Sequence, residues 1–310
     1  MAAFGRRPFL RTCTDFGPPS YGLPFDVVGR RHAKTHVRFT YADESDRGPY
    51  PFDARTPMEG GSDRHALIVE RGTCRLYELF AASWNDGEPH AGSGAVFDLI
   101  RTDSARRAWT SADAAGLPIL PGLVRWDEVK AGSIDHAIRF TVSCTTDAYV
   151  WPARHEAGVH DPDCPPMGAR FRLKANFDLD GFSARARTVL RAMQTYGLML
   201  ADNGSNWYFR ARATATGAIT CSMQLKTVPA SAFGGGRRER LHGGRRRSGQ
   251  APDCPRLSQP SVRDRTGSRS PTSGRSRGRM NSTGDEQPQP AVRRDHPVVE
   301  RHDSPACSGP

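Results

Sequence analysis

No phenylalanine, tyrosine or tryptophan follows Phe233 in this 310-residue chain, and no lysine follows Lys226. A core must be closed by large apolar side chains, so the folded part is expected to be complete by about Phe233. The remainder, Gly234–Pro310, is rich in Arg, Gly, Ser and Pro, with 16 Arg set against 8 acidic residues, and is expected to be disordered. It carries most of the formal net charge of +11, so that charge says little about the partners of the folded part. The expected organisation is a flexible segment over residues 1–20, one domain over 21–233 and a tail over 234–310.

Between Tyr21 and Phe233 short apolar or alternating runs are divided by Gly, Pro, Asp and Asn, the pattern of antiparallel β structure. Candidate strands are "HVRFTYA" from His36, "HALIVER" from His65, "CRLYELFAASW" from Cys74, "GAVFDLI" from Gly94, "HAIRFTVS" from His136, "AYVWPA" from Ala148, "ARFRLKANF" from Ala169, "LMLADN" from Leu198 and "SNWYF" around Trp207. Only Gly72 and Thr73 separate the second and third, which predicts a tight hairpin. One segment differs. Val189, Leu190, Met193 and Tyr196 are spaced along one helix face, with Ser183 able to cap the start and Gly197 the end. The fold class read from this pattern is all-β: an antiparallel β-sandwich or jelly roll with one amphipathic helix.

Seven cysteines are scattered without C-x-x-C or Cys/His spacing for zinc, so no metal site and no cofactor are expected. Cys74 and Cys144 lie in or beside strand runs and read as buried free thiols. The opening residues contain no apolar run of signal-peptide length, and no later segment approaches a membrane span; the expectation is a soluble chain without a membrane span. The Pro/Gly-rich opening also reads like a segment entered midway. There is no P-loop and no G-x-G-x-x-G before a helix, which disfavours nucleotide chemistry. "AGSGA" at Ala91–Ala95 is not a nucleophile elbow, because it enters a strand instead of a helix.

Alternation sends every second strand side chain to one face, so an ionisable residue in phase with apolar ones is buried or lines a cleft. His65 is in phase with Leu67 and Val69, Glu78 with Leu76 and Phe80, Asp98 with Val96 and Ile100, and His136 with Ile138 and Phe140. Two carboxylates and two imidazoles on inner faces would make an acid/base set, and a carboxylate pair across a groove is what glycoside hydrolysis uses. The competing reading is four structural residues satisfied by backbone partners.

Loops add further candidates. Arg154, His155 and His160 follow the aromatic pair Tyr149 and Trp151, a combination suited to stacking on sugar rings; alternatively Trp151 closes the core and Arg154 is a rim charge. "EGGSDRH" (Glu59–His65) and "ADNGSNW" carry oxygens that could hold calcium but lack EF-hand spacing, so ordinary turns are expected. "AWTSADAAGLPILPG" (Ala108–Gly122) has neither strand nor helix period, and Pro118 and Pro121 bar it from an interior strand. It is either a site rim, with Trp109 as platform and Asp113 as a catalytic or hydrogen-bonding carboxylate, or a buried plug.

Taken with "SDRHALIVERGTCRLYELF", "WTSADAAGLPILPGLVRWDEV", "YVWPARH" and "YGLMLADNGSNWY", the stretch from about Tyr21 to Trp207 resembles a group of bacterial proteins, extracellular in character, to which no reaction is assigned. The resemblance implies an extracellular location and supplies no catalytic residue. "LKTVPASAF" at Leu225–Phe233 fits the group, whereas the sequence beyond it does not and reads like translation of a shifted frame.

Two functional expectations follow. One is a glycosidase or polysaccharide lyase with Glu78 and Asp98 as acid and base, His65, His136 or Asp113 assisting, and Arg154 and His155 binding substrate. The other is a non-catalytic module binding polysaccharide or cell-wall glycan on Trp109, Trp126 and Trp151. The Arg-rich tail lacks aromatics for base stacking, so no specific nucleic-acid binding is expected.

Overall fold

The computed structural model describes residues 11–12, 22–100, 111–209 and 222–235. Trp109 and most of the tail lie outside the described residues. In chain order the first strands are β1 (Arg11–Thr12), β2 (Phe25–Val28), β3 (Arg38–Phe39), β4 (Ala66–Glu70), β5 (Arg75–Phe80), β6 (Ser83–Asn85), β7 (Glu88–Ala91) and β8 (Ser93–Asp98). They are followed by β9 (Ile138–Val142), β10 (Arg170–Leu173), β11 (Leu198–Asn203), β12 (Tyr208–Phe209) and β13 (Phe233–Gly235). The helices are α1 (Trp126–Ala131), α2 (Ala184–Thr195) and the single turn α3 (Ser222–Leu225).

The fold is sheet-rich and sandwich-like. β2-β4-β5-β8 form a four-stranded sheet, β3-β7-β6 a three-stranded one, and β1-β12-β9-β11-β10-β13 a six-stranded one. The sheets are mixed, which corrects the purely antiparallel expectation: β2 with β4, β3 with β7, β9 with β11 and β1 with β12 run parallel. Those partners are far apart in sequence, and alternation within one strand carries no information about the direction of a distant neighbour. The local pairing holds. β4 and β5 form the expected hairpin, with Glu70 opposite Arg75.

The central strands are buried on both faces. Leu67, Val69 and Leu76 enter one hydrophobic cluster with Phe25, Phe97, Ile119 and Leu120, while Ile68, Tyr77 and Leu79 enter another with Tyr50 and Phe52. "AYVWPA" is no strand; only Tyr149 makes an isolated bridge, to Met167.

α2 forms as its pattern predicts. The Ser183 side chain accepts from the Ala186 amide, and Val189, Leu190 and Met193 are buried. Gly197 at φ 83° ends it in the left-handed region, where a side chain would be strained. Its apolar face joins Phe140, Leu198, Leu200 and Trp207 in the largest core cluster. Phe233 closes that cluster, with its ring 5.2 Å from Trp207 and its backbone paired with Leu173 in β10. Among the described residues, the last aromatic residue of the chain is thus also the last residue of the core.

Candidate functional site

Residues 111–124 run between the four-stranded and six-stranded sheets as a buried plug, the second of the two readings of this stretch. Some of its polar groups bond within the segment, as the Ser111 hydroxyl does to Asp113 and Leu117, and others tie it to both sheets. On one side the Ser93 hydroxyl donates to the Ser111 carbonyl (3.0 Å) and His65 Nε2 to the Ala112 carbonyl (3.0 Å). The Ile119 and Leu120 amides donate to the Glu78 carboxylate at 2.9 and 3.0 Å. On the other side the Ala115 amide donates to Ala201 in β11 (2.9 Å), and the Arg139 guanidinium donates to both oxygens of Asp113, Nε at 2.9 Å.

Glu78 is 0% exposed. Burial pushes its carboxyl up to about 8, with the charge of Asp113 adding to the rise; the Ile119 and Leu120 amides and Arg139 pull the other way and lose. Asp113 and Arg139 are equally sealed, so this is a structural ion pair with no opening to substrate. The register also separates the expected acid and base. Glu78 sits opposite Ala95 and Arg75 opposite Asp98, so Glu78 shares a sheet face with Ala95 while Asp98 lies on the other face. Asp98 is half-buried and accepts from the Ile100 amide.

His136 is placed differently. It flanks an open pocket of about 440 Å³ with Arg125, Asp127, Glu128, Ser133 and Asp135. Glu128 sits in the first turn of α1, takes the Arg125 backbone amide (3.2 Å) and guanidinium, and lies 3.2 Å from His136 Nε2. His136 Nδ1 faces the Ala137 carbonyl at 2.9 Å. The pocket thus holds an imidazole–carboxylate pair beside a cation, in contact with solvent. Trp126 on the same helix is half-buried, packed on the main core with the Arg185 guanidinium 4.9 Å over its ring. It is not an open platform.

The loop from Cys144 to Met167 carries two exposed aromatics, a third, Tyr41, lying elsewhere. Trp151 is 56% and Tyr149 39% exposed. The loop is rigidly held: Cys144 and Cys164 form a disulfide with Cα atoms 5.6 Å apart, and the Val150 amide donates to Met167 (2.8 Å). Gly168, at φ 78°, is required there because a Cβ would lie 2.1 Å from the Val150 carbonyl oxygen. The backbone amides of Arg154 and His155 both donate to the Ala115 carbonyl, and His155 Nδ1 donates to Ala114 (2.8 Å), which anchors the loop to the plug. At its far side His160 pairs with Asp147 at 2.9 Å; that bond raises the imidazole and lowers the carboxyl from their ordinary values.

No family model, curated protein or solved structure matches the chain.

The expected site residues therefore divide. His65, Glu78 and Asp113 are drawn to one buried seam, Asp98 lies across the sheet from it, and His136 stands at a separate pocket. Trp151 is exposed, Trp126 is not, Arg154 and His155 are bracketed between loop and plug, and Trp109 is outside the described residues. The free-thiol expectation is corrected: Cys144 and Cys74 are both disulfide-bonded. Separations of this length in sequence hide which thiols meet. Arg125, Glu128 and Arg139 escaped notice; the signal for the first two was "RWDE", an Arg and a Glu three apart at a helix start.

Proposed function

We propose that the protein is a secreted glycan-binding module whose contact surface is the loop bearing Tyr149 and Trp151. The observation that carries this is two large aromatics held in solvent on a braced loop, where burial would have been the cheaper arrangement. A sugar ring presents an apolar C–H face to stack on such rings, and the His160–Asp147 pair on the same loop offers polar groups for hydroxyls. The disulfides suit an oxidising compartment, in keeping with the extracellular character of the bacterial group the sequence resembles. Among the described residues no helix is long and apolar enough to cross a membrane.

The test is tryptophan quenching and affinity electrophoresis over a panel of polysaccharides and cell-wall glycans. Trp151→Ala should weaken any binding roughly 30-fold or more, the ~2 kcal/mol typical of a tryptophan anchor. Wild-type affinity in that variant would end the proposal, as would a panel without a single ligand.

The pocket at His136 supports a second reading, a glycan-cleaving enzyme with His136 and Glu128 as its proton-transfer pair. Any turnover found in the same panel should fall about 100-fold or more in His136→Ala, the usual range for a general acid or base. Glu78→Gln should leave it unchanged. The reverse pattern would return catalysis to the buried seam.

A further inference from the structure

The stretch "EGGSDRH" folds into a turn that returns on itself, the Glu59 amide donating to the His65 carbonyl at 2.9 Å. This brings Glu59, Asp63 and His65 together, with one donor atom from each lying within 4.8 Å of the others. Glu59 and His65 are buried, and Asp63 is half-buried at the solvent side. We propose that these three residues form a binding site for a divalent transition-metal ion, zinc in the first instance.

The argument turns on the two ring nitrogens of His65. Nε2 lies 3.0 Å from the Ala112 carbonyl oxygen, which can only accept, so Nε2 carries the hydrogen. Nδ1 then faces Glu59 Oε2 at 2.5 Å. A nitrogen lone pair and a carboxylate oxygen repel at that distance unless a proton or a metal cation lies between them. An imidazole that donates one ring nitrogen to a backbone carbonyl has its tautomer and orientation fixed with the other nitrogen as the metal-binding one, which is the outer-shell arrangement of ligating histidines. The Ala112 carbonyl belongs to the plug, outside the cluster, so it is an independent buttress.

The donor set selects among ions. One imidazole nitrogen with two carboxylates suits zinc, whereas calcium prefers six to eight oxygens, which this turn does not assemble. Zinc bonds of ~2.0–2.1 Å place tetrahedral ligands about 3.3 Å apart, so Nδ1 and Oε2 need to separate by under roughly 1 Å. Three protein ligands leave the fourth position for water on the Asp63 side. The ion would clamp the turn onto the start of β4 and, through Ala112, onto the plug. The site is independent of the glycan reading.

The test uses the full chain without a histidine tag, stripped with EDTA and titrated with ZnCl2 by calorimetry and with CoCl2 by visible absorption. One equivalent of zinc is expected, with a rise in melting temperature and a cobalt spectrum showing nitrogen–oxygen ligation. Asp63→Asn, half-exposed and isosteric, should keep the fold by circular dichroism and lose affinity at least tenfold, and Glu59→Gln should do the same. CaCl2 in excess should not compete. Absence of saturable zinc binding would overturn the proposal. So would wild-type affinity in both variants, which would place the ion elsewhere, or displacement by calcium.

Discussion

Replacing Asp113 with alanine should destabilise the protein by about 3–5 kcal/mol, the cost of leaving one member of a buried ion pair without its partner. Arg139 is 3% exposed, and its Nε and Nη2 are both spent on Asp113. Its other neighbour, Asp202, is 3.8 Å away from Nη2 and partly solvated, too weak a contact to take over. The pair itself adds little relative to apolar packing, so the double variant Asp113→Leu with Arg139→Met should recover much of the loss. Urea unfolding of the three proteins measures this, and amide exchange at Ala115 reports whether the plug has loosened from Ala201. A single variant within 1 kcal/mol of wild type would show that the charge is solvated after all.

The strands that carry chemistry were legible because their residues alternate locally, and α2 because Ser183, the Val189–Leu190–Met193 face and Gly197 agree with one another. What could not be read is parity between strands. Glu78 and Asp98 are each in phase with apolar neighbours, yet they face opposite sides because the β5–β8 register pairs even-numbered with odd-numbered positions. That register is set across β6 and β7, which fold away into another sheet, so no alternation rule fixes it. The plug was recognisable as an aperiodic connection, but its role depends on groups from both sheets. Its main anchors, Glu78, His65 and Arg139, are strand or strand-edge residues whose inward phase gives burial without saying whether a substrate or a loop lies opposite. Burial of an ionisable residue implied a partner; for two of the five expected acid/base residues, His65 and Glu78, that partner is this one connection, and a third, Asp113, lies within it and pairs with Arg139.

Stability should fall as pH rises from about 4.5 to about 8, and Glu78 should account for the slope. In the unfolded chain its carboxyl titrates near 4.5, whereas in the folded protein burial, reinforced by Asp113, lifts it to about 8. Between those values the folded state holds a proton that the unfolded state has released, so each pH unit removes about 1.4 kcal/mol of stability. Below about 4.5 the contribution is fully present, and above about 8 this group removes no more. Other carboxyls act in the opposite sense: hydrogen bonds hold Glu70 and Asp53 below their ordinary values despite burial, and their contribution is lost in acid. The measurement is therefore a difference, wild type against Glu78→Gln, by urea unfolding at pH 5, 6.5 and 8. The glutamine oxygen can accept from both the Ile119 and Leu120 amides, since both already reach Glu78 Oε1, at 2.9 and 3.0 Å. The variant should match wild type near pH 5 and exceed it at pH 8. Parallel curves would mean that Glu78 stays ionised, stabilised by the two amides and Arg139 more than burial opposes it. The functional consequence follows from the same proton. A buried carboxyl pushed up to about 8 and filled by two loop amides is poorly placed to act as a base near pH 7, which favours the solvent-facing His136 pocket and the Trp151 loop as the surfaces of the proposed glycan contact.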